Sequence, residues 1–538
     1  MAKVFEIPEL LSLICKQAWR SDLARLLTTS RLFFECALPV IWESPPESAP
    51  IILMRLLPDA DLYLENPLDT TFAAGLQPLD AQSLARFNFY APYIKQVARH
   101  QRNRQADVVW DRLLRLVDTR PILPQLEVLK FSLSMTKFSL QDPVQFVSVY
   151  LCPTLVEIDL TRKPDSIIEP QDLSDLVSSI ALHCPHIRSL KLNNITTFLR
   201  SFNTSELATS LAQLHDLRVL GLGPIALVPR MTTALSSLPH LESLILNETY
   251  HSPNSEDLLK PLDCILPSGF PALQHFGIKP SFDFERAARV WNLSALAQNL
   301  TSVSVRIDVE ITRIDFRSFV RAICQRSPLI TALALDFSDS PNYLGFLVAD
   351  IIDDLALLPL QYLWLCGRDR GITHWDSEKF ALAFPKMERL RIRGYYLTFK
   401  DLKFIAMHMP RLRQLSVRVR LNTEWPSKDE LSSFALTPSQ SRLYFHLQLD
   451  KLHPIRGPRM VMEALPNEEV EMLALGLHIL WPKGVICEPQ QRSDKGGKPS
   501  YTDQINTALR GLGKFSEHDA MEVDSHPRKR LPEWFGRL

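Results

Sequence analysis

The chain alternates two hydrophobic periods over most of its length. In residues 184–192 (CPHIRSLKL), a turn is followed by apolar Ile187, Leu190 and Leu192, and the preceding residues 172–183 carry apolar side chains at helical spacing. Apolar residues at every second position predict a strand with one buried face, whereas a spacing of three to four predicts an amphipathic helix. Each unit is therefore predicted to contain a helix, a turn and a strand.

This unit occurs eleven times between residues 123 and 417. An aliphatic residue or methionine fills its first apolar position in every copy: Leu126, Leu155, Ile187, Leu217, Leu241, Leu273, Leu300, Ile330, Leu360, Met387 and Leu412. Ten steps from the first to the last of these positions cover 286 residues, or about 28.6 residues per unit, which is typical of long leucine-rich repeats. Because one unit cannot bury both its helix and its strand face, the sequence predicts an α/β leucine-rich-repeat solenoid with a curved parallel sheet inside and helices outside.

A doubly wound α/β enzyme also alternates strands and helices. That fold binds phosphate with a glycine-rich loop after a strand, and this chain, with 17 glycines, contains no such loop. It also contains no G-x-S-x-G, HExxH or P-loop motif. We therefore expect a non-enzymatic protein without catalytic residues, cofactor or metal ligands. His183, Cys184 and His186 lie in a repeat turn whose equivalent, Cys152-Pro153, has no histidine, which favours a structural role.

Residues 1–44 differ from the repeats. Between 6 and 44, three short apolar stripes with helical spacing come after an Ile-Pro start and end at Trp42. Three helices in about 40 residues bury little apolar surface, so the unit is predicted to dock onto the solenoid or onto a partner.

The order of residues in this segment resembles an F-box, the adaptor-binding motif of cullin-based ubiquitin ligase receptors. The matching residues are Ile7, Pro8, Leu11, Ile14, Asp22, Leu23, Leu26, Ser30, Arg31, Phe33, Ile41 and Trp42. Residues 84–97 (LARFNFYAPYIKQV) resemble the start of the array in F-box/leucine-rich-repeat proteins common among fungi. Together with the repeats at 123–417, these segments make the chain similar to that family.

The resemblance implies a substrate receptor of an SCF-type ubiquitin ligase, acting in ubiquitin-dependent protein degradation. In similar proteins the F-box contacts a Skp-type adaptor that bridges to a cullin and a RING subunit, while the repeats capture the substrate. Seven residues are the adaptor-contact candidates by this resemblance: Pro8, Leu11, Ile14, Leu23, Leu26, Phe33 and Trp42. The alternatives are that several of them form the core of the three-helix unit, and that the protein is a leucine-rich-repeat interaction scaffold without ligase association.

The late repeats carry a distinctive strand face. Because Leu390 and Ile392 point into the core, Arg389, Arg391 and Arg393 share the open face, and the same alternation places further candidates there: Trp364, Arg418 and Arg420. The sequence predicts that the tryptophan is exposed. Arginines beside an aromatic residue are typical of sites for acidic or phosphorylated protein segments. The alternative is a solvated face whose arginines pair with acids such as Glu388 and Asp401.

Charge and cysteine content indicate which partners and which cellular compartment to expect. Lys and Arg total 60 and so do Asp and Glu, so we expect no bulk binding to nucleic acid or to an anionic membrane. No apolar run approaches the roughly 18 residues of a membrane span. Eight cysteines without a CxxC pair indicate a reducing compartment, cytoplasmic and/or nuclear. The basic cluster 527–530 is either a nuclear signal or part of a solvated tail.

Composition changes suggest the domain boundaries. After the helical unit 1–44, residues 45–122 contain a Pro/Ser joint and the first part of the array, and 123–420 form the main solenoid. Residues 421–487 break the rhythm and regain apolar character, as expected of a capping region. Residues 488–538 are polar and are predicted to be disordered.

Overall fold

The computed structural model describes residues 7–46, 49–64, 76–99, 109, 112–118, 120–133, 147–162, 170–193, 204–247, 269–278, 287–288, 290–306, 312–337, 348–366, 376–420, 425–434, 442–450, 465–488 and 501–512. The chain divides into two compact units, residues 1–272 and 273–538. The basic cluster 527–530 lies outside the described residues.

The first unit begins with three short helices: α1 (Pro8–Gln17), α2 (Arg20–Leu26) and α3 (Arg31–Glu43). Pro8 occupies the first turn of α1, where its missing N–H costs no hydrogen bond. The Ser30 side chain accepts a hydrogen bond from the backbone N–H of Phe33 and caps α3. A common core joins the helices: Leu11, Cys15, Leu23, Cys36 and Ala37.

The rest of the first unit contains six strands and, among the helices whose bounds are described, six further α-helices. The helices are α4 (Ala49–Met54), α5 (Ala60–Leu64), α6 (Ala85–Tyr90), α7 (Pro170–His183), α8 (Thr204–Ala212) and α9 (Pro229–Ser236). The strands are β1 (Gln96–Arg99), β2 (Val128–Leu133), β3 (Glu157–Arg162), β4 (Ser189–Asn193), β5 (Val219–Leu222) and β6 (Ser243–Leu246). Each strand pairs in parallel with the next in chain order, and α7, α8 and α9 pack side by side.

The second unit continues the same plan with eight described strands and eight described α-helices. The strands are β7 (His275–Ile278), β8 (Ser302–Arg306), β9 (Ala332–Asp336), β10 (Tyr362–Cys366), β11 (Arg389–Leu397), β12 (Gln414–Arg420), β13 (Leu443–Asp450) and β14 (Val485–Cys487). The helices are α10 (Ser294–Ala297), α11 (Arg313–Arg326), α12 (Ile352–Leu355), α13 (Ser377–Ala383), α14 (Phe399–His408), α15 (Lys428–Ser433), α16 (Asn467–Leu480) and α17 (Tyr501–Leu512). All strand pairs are parallel and sequential.

The predicted repeats are confirmed. Each of the eleven segments contains one strand, from β2 to β12. The first apolar position of every segment is at most 2 % exposed. Burying a side chain of this size contributes about 1.5–3 kcal/mol, so this one position supplies much of each repeat's stability. The chain is thus an α/β leucine-rich-repeat solenoid, as the two alternating periods predicted.

Neighbouring repeats share one recurring hydrogen-bond pattern. The N–H groups of Arg188 and Ser189 both donate to the carbonyl of Val156, one repeat earlier, at 2.8 and 3.1 Å. In the second unit, the N–H groups of Glu388 and Arg389 donate in the same way to Gln361 at 2.8 and 3.0 Å. Two donors on one carbonyl fix the start of each strand against its predecessor, which sets the register of the sheet.

The C-terminal region departs from the prediction in two ways. Residues 421–487 extend the sheet with β13 and β14, and they also supply α16. The expectation of disorder from residue 488 is wrong for α17, which packs against α16 and β14. Its Tyr501, Ile505 and Leu509 are buried at a spacing of four residues, so an apolar helix stripe lies inside an otherwise polar segment.

Candidate binding surfaces

The helix α1 is apolar on two sides. Its inner side places Leu11 and Cys15 in the core, with both side chains fully buried. Its outer side exposes four large apolar residues, with exposed fractions of 43, 40, 59 and 42 %: Ile7, Leu10, Leu13 and Ile14. Trp19, between α1 and α2, is 80 % exposed. We call Ile7, Leu10, Leu13, Ile14 and Trp19 the α1 face, and such a group of exposed apolar side chains is typical of an interaction surface.

The structure places the seven adaptor-contact candidates in different environments. Leu11 and Leu23 are core residues, 0 and 4 % exposed, and are not available to a partner. Leu26 and Phe33 are half-buried and pack against the same core. Pro8 and Ile14 are both exposed on α1. The expectation that the buried leucines contact a partner is therefore corrected, since the three helices need them for their own packing.

Trp42 and Arg20 lie where the three helices meet the next part of the first unit. The Trp42 ring lies 4.7 Å from the Tyr90 ring, centroid to centroid, and the N–H of Lys95 donates to the carbonyl of Glu43 at 3.0 Å. Arg20 donates to the carbonyls of Ile41 and Ser44 at 2.8 Å each, which satisfies the carboxyl end of α3. Trp42 thus packs inside the first unit, and this contact agrees with the first of the two predicted alternatives, docking onto the array or onto a partner.

The angular width of the apolar residues around α1 could have identified the α1 face from the sequence. At about 100° per residue, the apolar residues between 7 and 15 span an arc of about 200° around α1. A helix that buries one side needs only about half of that arc. The excess indicates a second apolar surface.

The open face of the second unit's sheet carries three arginines on β11. Arg389 and Arg391 are half-buried and Arg393 is exposed, while the alternate residues Leu390 and Ile392 are each 1 % exposed. The alternation along β11 is therefore as predicted. We call Arg389, Arg391 and Arg393 the arginine row.

Two aromatic residues of β10 lie beneath this row. Tyr362 pairs in register with Arg389, and Trp364 pairs with Arg391. The guanidinium carbons lie 5.0 Å from the Tyr362 ring centroid and 4.1 Å from the Trp364 ring centroid. Trp364 is only 5 % exposed, so the prediction that it is exposed is wrong. The arginine stacked on the indole ring covers it.

The remaining candidates lie at the edge of the row. Arg418 on β12 is half-buried, and its guanidinium carbon lies 5.9 Å from the Tyr396 ring centroid. The register between β11 and β12 shifts between Arg391 and Tyr396, so Arg393 lies at an irregularity of the sheet. The side chain of Arg420 lies outside the described residues.

Within the row, Arg391 is the residue whose charge is most affected by burial and by a like charge. Burial, together with a smaller effect of the neighbouring Arg393 guanidinium, lowers the pKa of Arg391. Within the described part of the chain, no carboxylate lies within 4.0 Å of a guanidinium nitrogen of Arg389, Arg391 or Arg393. Asp401 instead accepts hydrogen bonds from the Thr398 N–H and hydroxyl, closing a capping box on α14.

Other motifs are accounted for by local structure. His183 contacts the carbonyl of Ser179 at 2.8 Å, and His186 lies 3.1 Å from the Asp216 carboxylate, so the two imidazoles have separate partners. Among the residues that the structure describes, no group of three or more His, Cys, Asp or Glu side chains could hold a metal ion. No described helix is both long and apolar enough to cross a bilayer.

The repeats, the buried first positions and the sequential parallel strands together define a leucine-rich-repeat protein with an N-terminal three-helix unit. Similar solved structures include the leucine-rich-repeat-containing protein LegL7 from Legionella pneumophila, 14 % identical, with a TM-score of 0.33 over 72 % of this chain and 99 % of that one. An internalin from Listeria monocytogenes is 12 % identical, with a TM-score of 0.28 over 75 % of this chain and 94 % of that one. Neither likeness bears on what this chain binds. No protein-family model matches the chain, and no curated protein matches it.

Proposed function

We propose that the protein is the substrate-recognition subunit of an SCF-type ubiquitin ligase, in which α1–α3 bind a Skp-type adaptor and the repeats hold the substrate protein. The observation that carries the proposal is the α1 face. Four large apolar side chains between Ile7 and Ile14 are at least 40 % exposed, beside the side of the helix that Leu11 and Cys15 already pack into the core. Exposed apolar surface of this kind is stabilised when a partner covers it.

The mechanism is one of proximity and requires no catalytic residue in this chain. A substrate held on the repeats is brought near a ubiquitin-loaded enzyme bound elsewhere on the complex, which raises its local concentration. The regular strand register supports this role, because it fixes the positions of the substrate-binding side chains relative to one another within a unit of the chain.

The second candidate, an interaction scaffold without ligase association, has one observation in its favour. Trp42 packs on Tyr90 and Lys95 bonds to Glu43, as expected if the three helices cap the repeat array. A cap of that kind needs only the buried side of α1. It therefore does not explain the α1 face, which is additional exposed apolar surface.

The test is a pull-down of the full chain with a purified Skp-type adaptor. The variant Leu10→Ser, Leu13→Ser, Ile14→Ser removes three side chains of the α1 face without touching the core. The control variant Leu182→Ser, Ile314→Ser, Leu357→Ser removes three apolar residues of similar or greater exposure elsewhere, at 77, 78 and 64 %. We expect the wild type and the control to bind and the α1 variant to lose binding with an unchanged melting temperature. No binding by the wild type would rule out the proposal.

A further inference from the structure

The arginine row combines positive charge with a lack of ion-pair partners: among the described residues, no carboxylate lies within 4.0 Å of its guanidinium nitrogens. The two acids that influence Arg391 are engaged elsewhere: the Cys366 thiol donates a hydrogen bond to Asp336, and Glu488 lies 3.4 Å from His446. Three guanidinium groups on alternate residues of one strand repel each other and retain unused donors. An anionic partner would remove that repulsion and satisfy the donors.

Stacking prepares these groups for binding. The contacts of Arg389 with Tyr362 and of Arg391 with Trp364 hold two guanidinium groups over aromatic rings. A stacked guanidinium keeps its hydrogen-bonding edge available and has already lost much of its rotamer freedom. The guanidinium groups of the row carry only hydrogen-bond donors, so the surface favours a ligand with acceptors.

The spacing of the row indicates the form of the ligand. Alternate residues of a strand lie about 6.6 Å apart, and β11 pairs regularly with β10 from Arg389 to Arg393. In an extended peptide, side chains at alternate positions repeat at the same distance. Carboxylates on every second residue of such a peptide therefore match the three guanidinium groups one by one.

We propose that the arginine row binds an extended segment of a partner protein with acidic residues at alternate positions. This deepens the proposed function by naming the substrate class, and it rests on that function for the identity of the segment as a substrate. Charge complementarity selects the occupant, because each carboxylate accepts two parallel hydrogen bonds from one guanidinium group.

A single-stranded nucleic acid fits the surface less well. Proteins that bind single strands stack bases on accessible aromatic rings. Here Trp364 is 5 % exposed and its ring is covered by Arg391. The chain also carries equal numbers of basic and acidic residues, so no long-range positive field attracts a polyanion.

The test is fluorescence anisotropy of the full chain with a labelled peptide, Ala-Glu-Val-Glu-Val-Glu-Ala, at about 50 mM salt. The comparison probes are a peptide of the same composition with the three Glu adjacent, the Gln analogue, an analogue with phosphoserine for Glu, and a uridine-rich RNA. The variant Arg389→Gln, Arg391→Gln, Arg393→Gln removes the row. The control Arg326→Gln, Lys386→Gln, Arg411→Gln removes three charges from exposed residues on α11 and in the turns before β11 and β12.

We expect the alternating peptide to bind, the Gln analogue to bind about tenfold or more weakly, and the row variant to lose about tenfold or more in affinity. The control variant should change affinity by less than about twofold. Since Arg391 covers Trp364, the triple change could disturb packing, so Arg393→Gln alone serves as a second variant. It is exposed and stacks on no described ring, and it should cost about threefold.

Three results would overturn the proposal: no binding of the alternating peptide, equal affinity for the adjacent-Glu peptide, or tighter binding of the phosphoserine analogue or the RNA that the row variant abolishes. Adaptor binding is measured separately, and the surface proposed for it, the α1 face, contains no residue of β11. A chain that binds the peptide but not the adaptor would contradict the ligase proposal alone, and the reverse result would contradict the substrate class alone.

Discussion

The guanidinium carbon of Arg391 lies 4.1 Å from the ring centroid of Trp364, its register partner on the neighbouring strand. The arginine covers the indole ring, and the tryptophan is therefore buried although it lies on the open face of the sheet. The contact has two consequences: it stabilises β10 against β11, and it determines which groups a ligand meets first.

A double-mutant cycle measures the first consequence. We compare Arg391→Gln, Trp364→Leu and the double variant by urea unfolding. A cation–π contact of a partly desolvated pair contributes about 0.5–2 kcal/mol, so we expect a coupling energy in that range. The pair Arg411 and Trp364 is the control and should give a coupling near zero. Equal couplings for the two pairs would show that the stacking adds nothing.

The two sides of α1 should respond differently to truncation. Leu11→Ala empties a fully buried position and should lower the free energy of unfolding of the three-helix unit by about 2–5 kcal/mol. Leu13→Ala, at a side chain 59 % exposed, should change it by less than about 0.5 kcal/mol. Hydrogen exchange of the backbone amides in α1–α3 measures the change in the free energy of unfolding for both variants. Comparable protection losses in the two variants would contradict the assignment of inner and outer sides.

Two helical glycines form a matched pair. A Cβ on Gly476 in α16 would lie 3.1 Å from Phe399 Cε2 and 3.1 Å from Trp425 Cζ2, whereas a Cβ on Gly511 in α17 meets nothing within 4 Å. Alanine favours a helix over glycine by about 0.5–1 kcal/mol. We expect Gly511→Ala to raise the melting temperature slightly and Gly476→Ala to lower it, because the rings must move. A stabilising Gly476→Ala would show that this contact relaxes without cost.

Because thiols are buried, the free energy of unfolding is expected to depend on pH in the alkaline range. Burial raises the pKa of Cys324 from 9.0 to about 12, with a smaller contribution from the Asp354 carboxylate. Between these two values the folded chain holds a proton that the unfolded chain loses, so the free energy of unfolding falls as pH rises from about 9 to about 12. Urea unfolding at several pH values should therefore show a shallower decline for Cys324→Ala than for the wild type. Identical declines would contradict the shifted pKa.

Asn506 closes the edge of the last strand. Its side-chain amide accepts from the Cys487 N–H and donates to the Cys487 carbonyl, both at 2.8 Å. We expect Asn506→Leu to loosen α17 and to speed the reaction of the buried Cys487 thiol with Ellman's reagent. Cys264 lies outside the described residues, so the experiment uses a Cys264→Ser background, with Thr507→Val as the control. An unchanged labelling rate would show that the amide is not needed to hold the edge.

The sequence predicts most of this fold because the same pattern of helix, turn and strand recurs in every repeat. Leu190 and Leu192 share one face of a strand in one unit, and the same spacing recurs in ten others, so no single ambiguous residue could mislead. Side-chain exposure is harder to predict. Alternation correctly placed Arg391 and Trp364 on the open face, but it carries no information about one covering the other across strands.

The helical unit shows the same limit. Its apolar residues predicted three helices, yet the division of Leu10 and Leu11 between outside and core depends on where α3 packs. The helix at Tyr501–Leu512 was missed because its three buried residues are diluted by polar neighbours and preceded by a polar run. In both cases the contact that decides burial comes from another helix or strand, which the spacing within the segment does not reveal.

The double hydrogen bond to one carbonyl has a consequence for how such a chain lengthens. Because the acceptor residue and the two donors occupy equivalent places in successive repeats, a junction does not depend on which repeats it joins. Duplication or loss of one whole unit recreates the junction it breaks, whereas an insertion of half a unit leaves a strand without its acceptor. Segments of about 29 residues, one repeat each, are thus the natural step by which a protein of this construction gains or loses length.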